Sequence, residues 1–134
     1  MPALNALATM AFDAGTTYGD RVHIVHIYII EPHPMGPDVS PYSGAVWEGT
    51  YGTKPQAYTY DERVSYAREV EVQLEGTQLM LVDDLVPGER NNPVWCTYGP
   101  CPNCSYLIRQ DGIIDSNQMW LDAADMKDSI DSLL

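Results

Sequence analysis

The chain has 134 residues, of which 19 are acidic and 7 basic, for a formal net charge of −12. That length makes one domain able to bury a core without disulfides or a structural metal, and a field of that sign repels phosphate backbones and anionic lipid, which argues against nucleic-acid and membrane-surface roles. No apolar run approaches the roughly 20 residues of a membrane span, the start Met1-Pro-Ala-Leu-Asn5 lacks signal-peptide character, and three cysteines fit a reducing compartment better than a disulfide framework, so the expectation is a cytoplasmic protein.

Pro2 is a good first helical residue, and Leu4, Leu7, Met10 or Ala11, and Ala14 recur at helical spacing, which predicts a helix over 2–14 stopped by Gly15. Residues 22–30, Val-His-Ile-Val-His-Ile-Tyr-Ile-Ile, are β-branched and almost continuously apolar, as in a central strand covered on both faces. Residues 31–58 are rich in proline and glycine and have no period, so they form a long loop insertion beside any active site. Thr59 and Glu62 make a capping box that opens a second helix. Val64, Ala67, Val70 or Glu71, and Leu74 set its inner stripe, and Gly76 stops it. Residues 79–83 read as a short buried strand followed by a loop through Asn91-Asn92-Pro93. The apolar runs flanking Asp111-Gly112 predict a hairpin, and Asp122 caps a last helix with Met126, Ile130 and Leu133 on one face.

Several side chains in this frame carry chemistry. Glu31 and His33 lie two residues apart where the first strand ends, the place where open α/β sheets put their sites. They form either a proton-shuttling pair or a stiff, solvated loop entrance. His23 and His26 are three apart on a strand, point to opposite faces, and read as buried, hydrogen-bonded histidines. Cys101 and Cys104 form a Cys-x-x-Cys pair that could close a disulfide after attack on a substrate sulfur. The pair opens a strand, so no helix dipole lowers its thiol pKa. With Cys96 and His33 it also offers a tetrahedral zinc set, although the single Cys-x-x-Cys and the alternative of plain packing cysteines leave no metal as the primary expectation. Tyr42, Tyr51, Tyr58 and Tyr60 with Trp47 make the loop aromatic, suited to a flat ligand or to covering a thin core. Asp83-Asp84 reads as a solvated strand exit.

The order helix, strand, helix, strand, hairpin, helix, with Pro102 just before a hairpin strand, resembles the thioredoxin fold. The residues Ile27-Tyr-Ile-Ile-Glu-Pro-His-Pro34, then Asp61-Glu-Arg-Val64 with Ala67-Arg68, then Tyr98-Gly99 with Pro102 and Tyr106-Leu-Ile108, are similar to successive blocks of the iodothyronine deiodinases and their bacterial relatives. The resemblance implies that Glu31 and His33 match the Glu-x-His pair near that family's nucleophile, and that Cys101–Pro102 is a cis peptide. It also puts the selenocysteine or cysteine nucleophile at Met1, so the chain lacks that group and the first core strand. The sheet is expected to close over the slot between 22–30 and 105–110.

The resulting expectation is a single α/β domain, 1–134, thioredoxin-like and truncated at its N-terminus, with a mixed sheet flanked by helices. Its implied role is non-catalytic ligand binding, in a cleft that includes His33, Pro102, Trp47 and Tyr98, for a small-molecule or thiol ligand. A homodimer without cofactor is expected. The alternatives are a thiol-disulfide oxidoreductase using Cys101 and Cys104, with Glu31 and His33 assisting, and a structural zinc protein using Cys96, Cys101, Cys104 and His33.

Overall fold

The computed structural model describes residues 2–46, 49, 52, 54–85, 92–99 and 103–134. The protein is mixed α/β, with small sheets flanked by helices, in the order α1 (Pro2–Thr9), β1 (Ala11–Asp13), β2 (Thr16–Thr17), α2 (Tyr18–Arg21), β3 (Ile24–Tyr28), α3 (Tyr60–Glu71), β4 (Gln78–Val82), α4 (Pro93–Tyr98), β5 (Ser105–Ile108), β6 (Ile114–Gln118) and α5 (Ala123–Asp131). The described strands pair two by two, β1 with β2, β3 with β4, and β5 with β6. The chain forms two compact units. Met1–Val25, Gln73–Leu79 and Asn103–Leu134 make the first, and His26–Val72 and Met80–Pro102 the second.

The first unit is built on an apolar core. Leu7, Ala8, Tyr18, Ile24, Met126 and Ile130 are buried together, with Leu4, Met10, Phe12, Val22, Leu107, Leu121 and Ala123 packed against them. Helix α1 ends at Thr9 rather than running to residue 14. The reason is Phe12: as part of β1 it packs against the core and meets the Tyr18 ring edge-on at 5.2 Å, and Gly15 turns the chain at φ 91°, a conformation open to glycine and costly for other residues. The Asp20 carboxylate accepts from the Thr17 amide and hydroxyl at 2.8 Å each, starting α2 and holding Asp20 below the usual carboxylate pKa.

The Asp-Gly hairpin forms as expected. Strands β5 and β6 pair antiparallel, Ser105 opposite Gln118 and Tyr106 opposite Asn117. The Gly112 amide donates to the Arg109 carbonyl at 2.9 Å, and Gly112 takes a positive φ, 84°, which glycine adopts without the strain of a side chain. Asp122 caps α5 by accepting from the Ala124 and Asp125 amides; Met126 and Ile130 are buried, while Leu133 lies beyond the helix and is exposed.

In the second unit the capping box of α3 is complete. The Glu62 amide donates to Thr59 Oγ1 at 3.2 Å and the Glu62 carboxylate accepts from the Tyr58 and Thr59 amides, which holds its pKa low. The inner face of α3 differs from the apolar stripe Val64, Ala67, Val70, Leu74: its buried residues are Arg63 and Ala67. The helix also stops at Glu71, before Gly76. A six-residue helix, α4, stands where a plain loop was expected, with Pro93 in its first turn, a position where a missing amide costs nothing.

Strands β3 and β4 are both half-exposed rather than covered, with Val25, Ile27, Leu79 and Leu81 open to solvent. Val25 and Ile27, like Leu79 and Leu81, lie two apart, so each pair shares one face of its strand, and that face is the exposed one. The Asp83 amide donates to the Tyr28 carbonyl at 2.8 Å, tying together the C-terminal ends of the two strands. The expected closure of β3 onto the 105–110 strand does not form among the described residues, since β3 pairs with β4 and β5 with β6.

Gly19 marks a close approach in the first unit. A β-carbon there would stand 2.9 Å from the Ala8 carbonyl oxygen and 3.2 Å from that of Thr77, backbone atoms that cannot rotate aside. Gly19→Ala is expected to destabilise the protein by roughly 1–3 kcal/mol, read as a lower midpoint in urea unfolding.

Candidate functional site

The candidate site lies in the second unit, at the C-terminal ends of β3 and β4. Its base is Arg63 of α3, with 1 % of its surface exposed. Nη1 of Arg63 donates to the Asp83 carbonyl at 3.2 Å and to the Asp84 carbonyl at 3.1 Å, and Nε has no hydrogen-bond partner among the described residues. Burial pushes the Arg63 pKa down, opposed by the negative charges of Asp83, Glu31 and Asp84. A guanidinium so deep persists only when carboxylates and carbonyls replace its water.

Asp83 is 2 % exposed, which corrects its reading as part of a solvated exit; Asp84 beside it is exposed. The Asp83 carboxylate accepts from the Val94 amide at 2.9 Å and the Trp95 amide at 3.2 Å. It thereby caps α4 from a distant part of the chain while its charge faces Arg63.

Glu31 sits above this base, beyond the end of β3. The Tyr28 hydroxyl donates to its carboxylate. Its backbone is clamped by Gln56, whose Oε1 accepts from the Glu31 amide at 3.1 Å and whose Nε2 donates to the Glu31 carbonyl at 2.7 Å. One side chain thus does what a neighbouring strand would do. Burial raises the Glu31 pKa to about 7 against the opposing pull of Arg63 and Lys54. Lys54 itself is bound to Glu69 at 2.6 Å, and its carbonyl accepts from the Met35 amide at 2.7 Å.

The insertion is ordered in the same way around Ser40, which is fully buried. Its hydroxyl donates to the Pro32 carbonyl and accepts from the amides of Tyr42 and Ser43 at 3.2 Å each. Val39 and Val46 form an isolated antiparallel bridge. His33 is half-buried, with its ring edge-on to Tyr42 at 6.3 Å, and the Tyr58 hydroxyl donates to Asp38. Glu31, His33 and Tyr42 all lie on the segment that follows β3.

Other expected groups fall differently. Cys101, Pro102 and Trp47 lie outside the described residues, and so do the proposed cis bond, the Cys101–Cys104 bridge and Tyr51. Cys104 is half-buried just before β5, and Cys96 is free and exposed on α4. Tyr98 ends α4 and is exposed. His23 precedes β3 and is exposed, correcting its reading as a buried core histidine. No cluster of three or more His, Cys, Asp or Glu among the described residues could hold a metal ion, and none of their helices is long and apolar enough to cross a membrane. An open groove of about 460 Å³ lined by Asn5, Thr9, Gln73 and Glu75 belongs to the first unit and includes none of the Glu31 cluster.

Sequence reasoning missed Arg63 and Asp83 as site residues. Arg63 falls one position before the apolar stripe, and the only available signal was its place in the Asp61-Glu-Arg-Val64 block. No protein-family model, curated protein or solved structure matches this chain.

The raised pKa of Glu31 fixes a sign for stability. Between its ordinary value of 4.5 and about 7 the unfolded chain ionises first, so folding loses stability as pH rises through this window. The window corresponds to at most roughly 2–3 kcal/mol, since Glu31 retains partial exposure. Glu31→Gln is expected to match the native protein at pH 4.5 and exceed it at pH 8, measured by urea unfolding at both pH values.

Proposed function

We propose that the protein is a ligand-binding member of the thioredoxin-like fold, of the deiodinase type, and that it holds a small aromatic molecule at the Glu31 segment. The observation that carries this reading is the Glu31 carboxyl, half-buried at the end of β3 with Arg63 behind it and its pKa near 7. Carboxyl groups poised to change charge near neutrality concentrate at functional sites. When protonated, Glu31 can donate a hydrogen bond to a ligand oxygen while accepting from Tyr28; Tyr42 and His33 supply ring edges for a flat ligand. The strand and hairpin order, with Glu31 and His33 on the segment leaving β3, supports the fold assignment. A cytoplasmic homodimer is part of the same proposal, and the exposed Ile27 and Leu81 are apolar surface available for it. A second reading, thiol-disulfide exchange through Cys101 and Cys104, draws support from the position of Cys104, half-buried just before β5.

The test is a titration across pH 5 to 9 with 4-nitroanisole, a flat aromatic with acceptor oxygens and no group that ionises in that range, followed by quenching of the protein's fluorescence. Binding that weakens about tenfold as Glu31 ionises, with the pH dependence lost in Glu31→Gln, is the expected result. No binding, or a pH profile unchanged in Glu31→Gln, overturns the reading. Light scattering checks the assembly: a dimer is expected, and a monomer at high micromolar concentration overturns it.

A further inference from the structure

Met119 and Trp120, in the first unit, are 70 % and 72 % exposed, an unusual state for a large ring in a soluble protein. Their exposure is built in rather than left over. On one side the Leu121 amide donates to the Asn103 carbonyl at 3.1 Å, which turns Leu121 onto the core. On the other, the Gln118 side-chain oxygen accepts from the Asp122 amide at 2.9 Å, closing a turn across residues 118–122. Between these two fixed points Met119 and Trp120 are held outward, so a partner would not bear the cost of ordering them.

The charge around them is one-sided. From residue 111 to the C-terminus the acids are Asp111, Asp115, Asp122, Asp125, Asp128 and Asp131, against a single base, Lys127. Lys127 is held by Asp131 at 2.5 Å. Asp122 and Asp125 are exposed, two and five residues after Trp120, and the Asp122 carboxylate is oriented by its cap bonds to the Ala124 and Asp125 amides.

We propose that Met119 and Trp120 form a docking surface for a lysine- or arginine-bearing segment of a partner protein. An exposed indole attracts a cation through its ring face, and adjacent carboxylates add a charge-assisted hydrogen bond and steer the encounter. Methionine beside it supplies an adaptable apolar contact for the methylene stem of the same side chain. A second copy of this chain fits poorly, because it brings the same acidic rim and a net charge of −12 to the contact. This surface is independent of the Glu31 segment.

The test is isothermal titration calorimetry of the full chain with a capped lysine–leucine peptide and its glutamate–leucine counterpart, at low and physiological salt. The expected result is binding of the basic peptide alone, weakened about tenfold by Trp120→Ala, and weakened with a shallower salt dependence by Asp125→Asn. Trp120 is exposed, so an unchanged thermal unfolding midpoint will show that the variant is folded. Absence of binding overturns the proposal. Equal affinity in Trp120→Ala does so too, assigning the attraction to net charge, as does a concentration-dependent dimer that Trp120→Ala dissociates, assigning the face to a second copy.

Discussion

A buried guanidinium organises the second unit. Arg63 cannot lie inside α3's contact face unless its charge is answered there, and the answer comes from three directions: the carbonyls of Asp83 and Asp84, the Asp83 carboxylate, and Glu31. Each of these ties a different part of the chain. The carbonyls fix the exit of β4; the Asp83 carboxylate, through the amides of Val94 and Trp95, fixes the start of α4; and Glu31 fixes the entrance of the insertion. Replacing Asp83, the largest of the opposing charges, would leave the buried guanidinium poorly compensated, a far larger cost than losing a surface ion pair.

The two units meet the demands of burial by different means. In the first, Leu7, Ala8, Ile24, Met126 and Ile130 exclude water from a continuous apolar cluster. The Tyr18 hydroxyl there donates to Asp131 at 2.5 Å, and Lys127 lies over the Tyr18 ring at 5.6 Å. In the second, the buried residues among those described are Ser40, Arg63, Asp83 and Asn92 with the apolar Pro34, Ala57 and Ala67. Order there comes from side chains that satisfy backbone groups: Gln56 for Glu31, Ser40 for the turn at 40–43, Asp83 for α4. Such bonds offer the backbone an alternative to a strand ladder, and they allow a proline-rich segment to be fixed without a sheet.

That difference bears on chemistry. An apolar interior gives a titratable group nothing to do, whereas a polar interior with one cation and several acceptors can hold a carboxyl between its two charge states. Glu31 is in that position because burial raises its pKa while Arg63 and Lys54 lower it. Asp131 experiences the opposite balance: on the surface, with Lys127 and Tyr18 both favouring its charged form, it stays ionised.

What the sequence determined by itself was everything whose cause lies within a few residues. The Thr59–Glu62 box, the Asp122 cap, the Gly112 turn and the burial of Met126 and Ile130 follow from local hydrogen bonds and a helical period, so they could be read directly. Glu31 and His33 were legible as neighbours for the same reason. Only the tertiary structure decided that Phe12 would pull residues 11–13 out of a helix, that β3 would pair with β4, and that Arg63 rather than Val64 would face inward. These outcomes depend on groups far apart in the chain, and the energy of a buried charge is set by partners such as Asp83, 20 residues from Arg63, that no local pattern brings together.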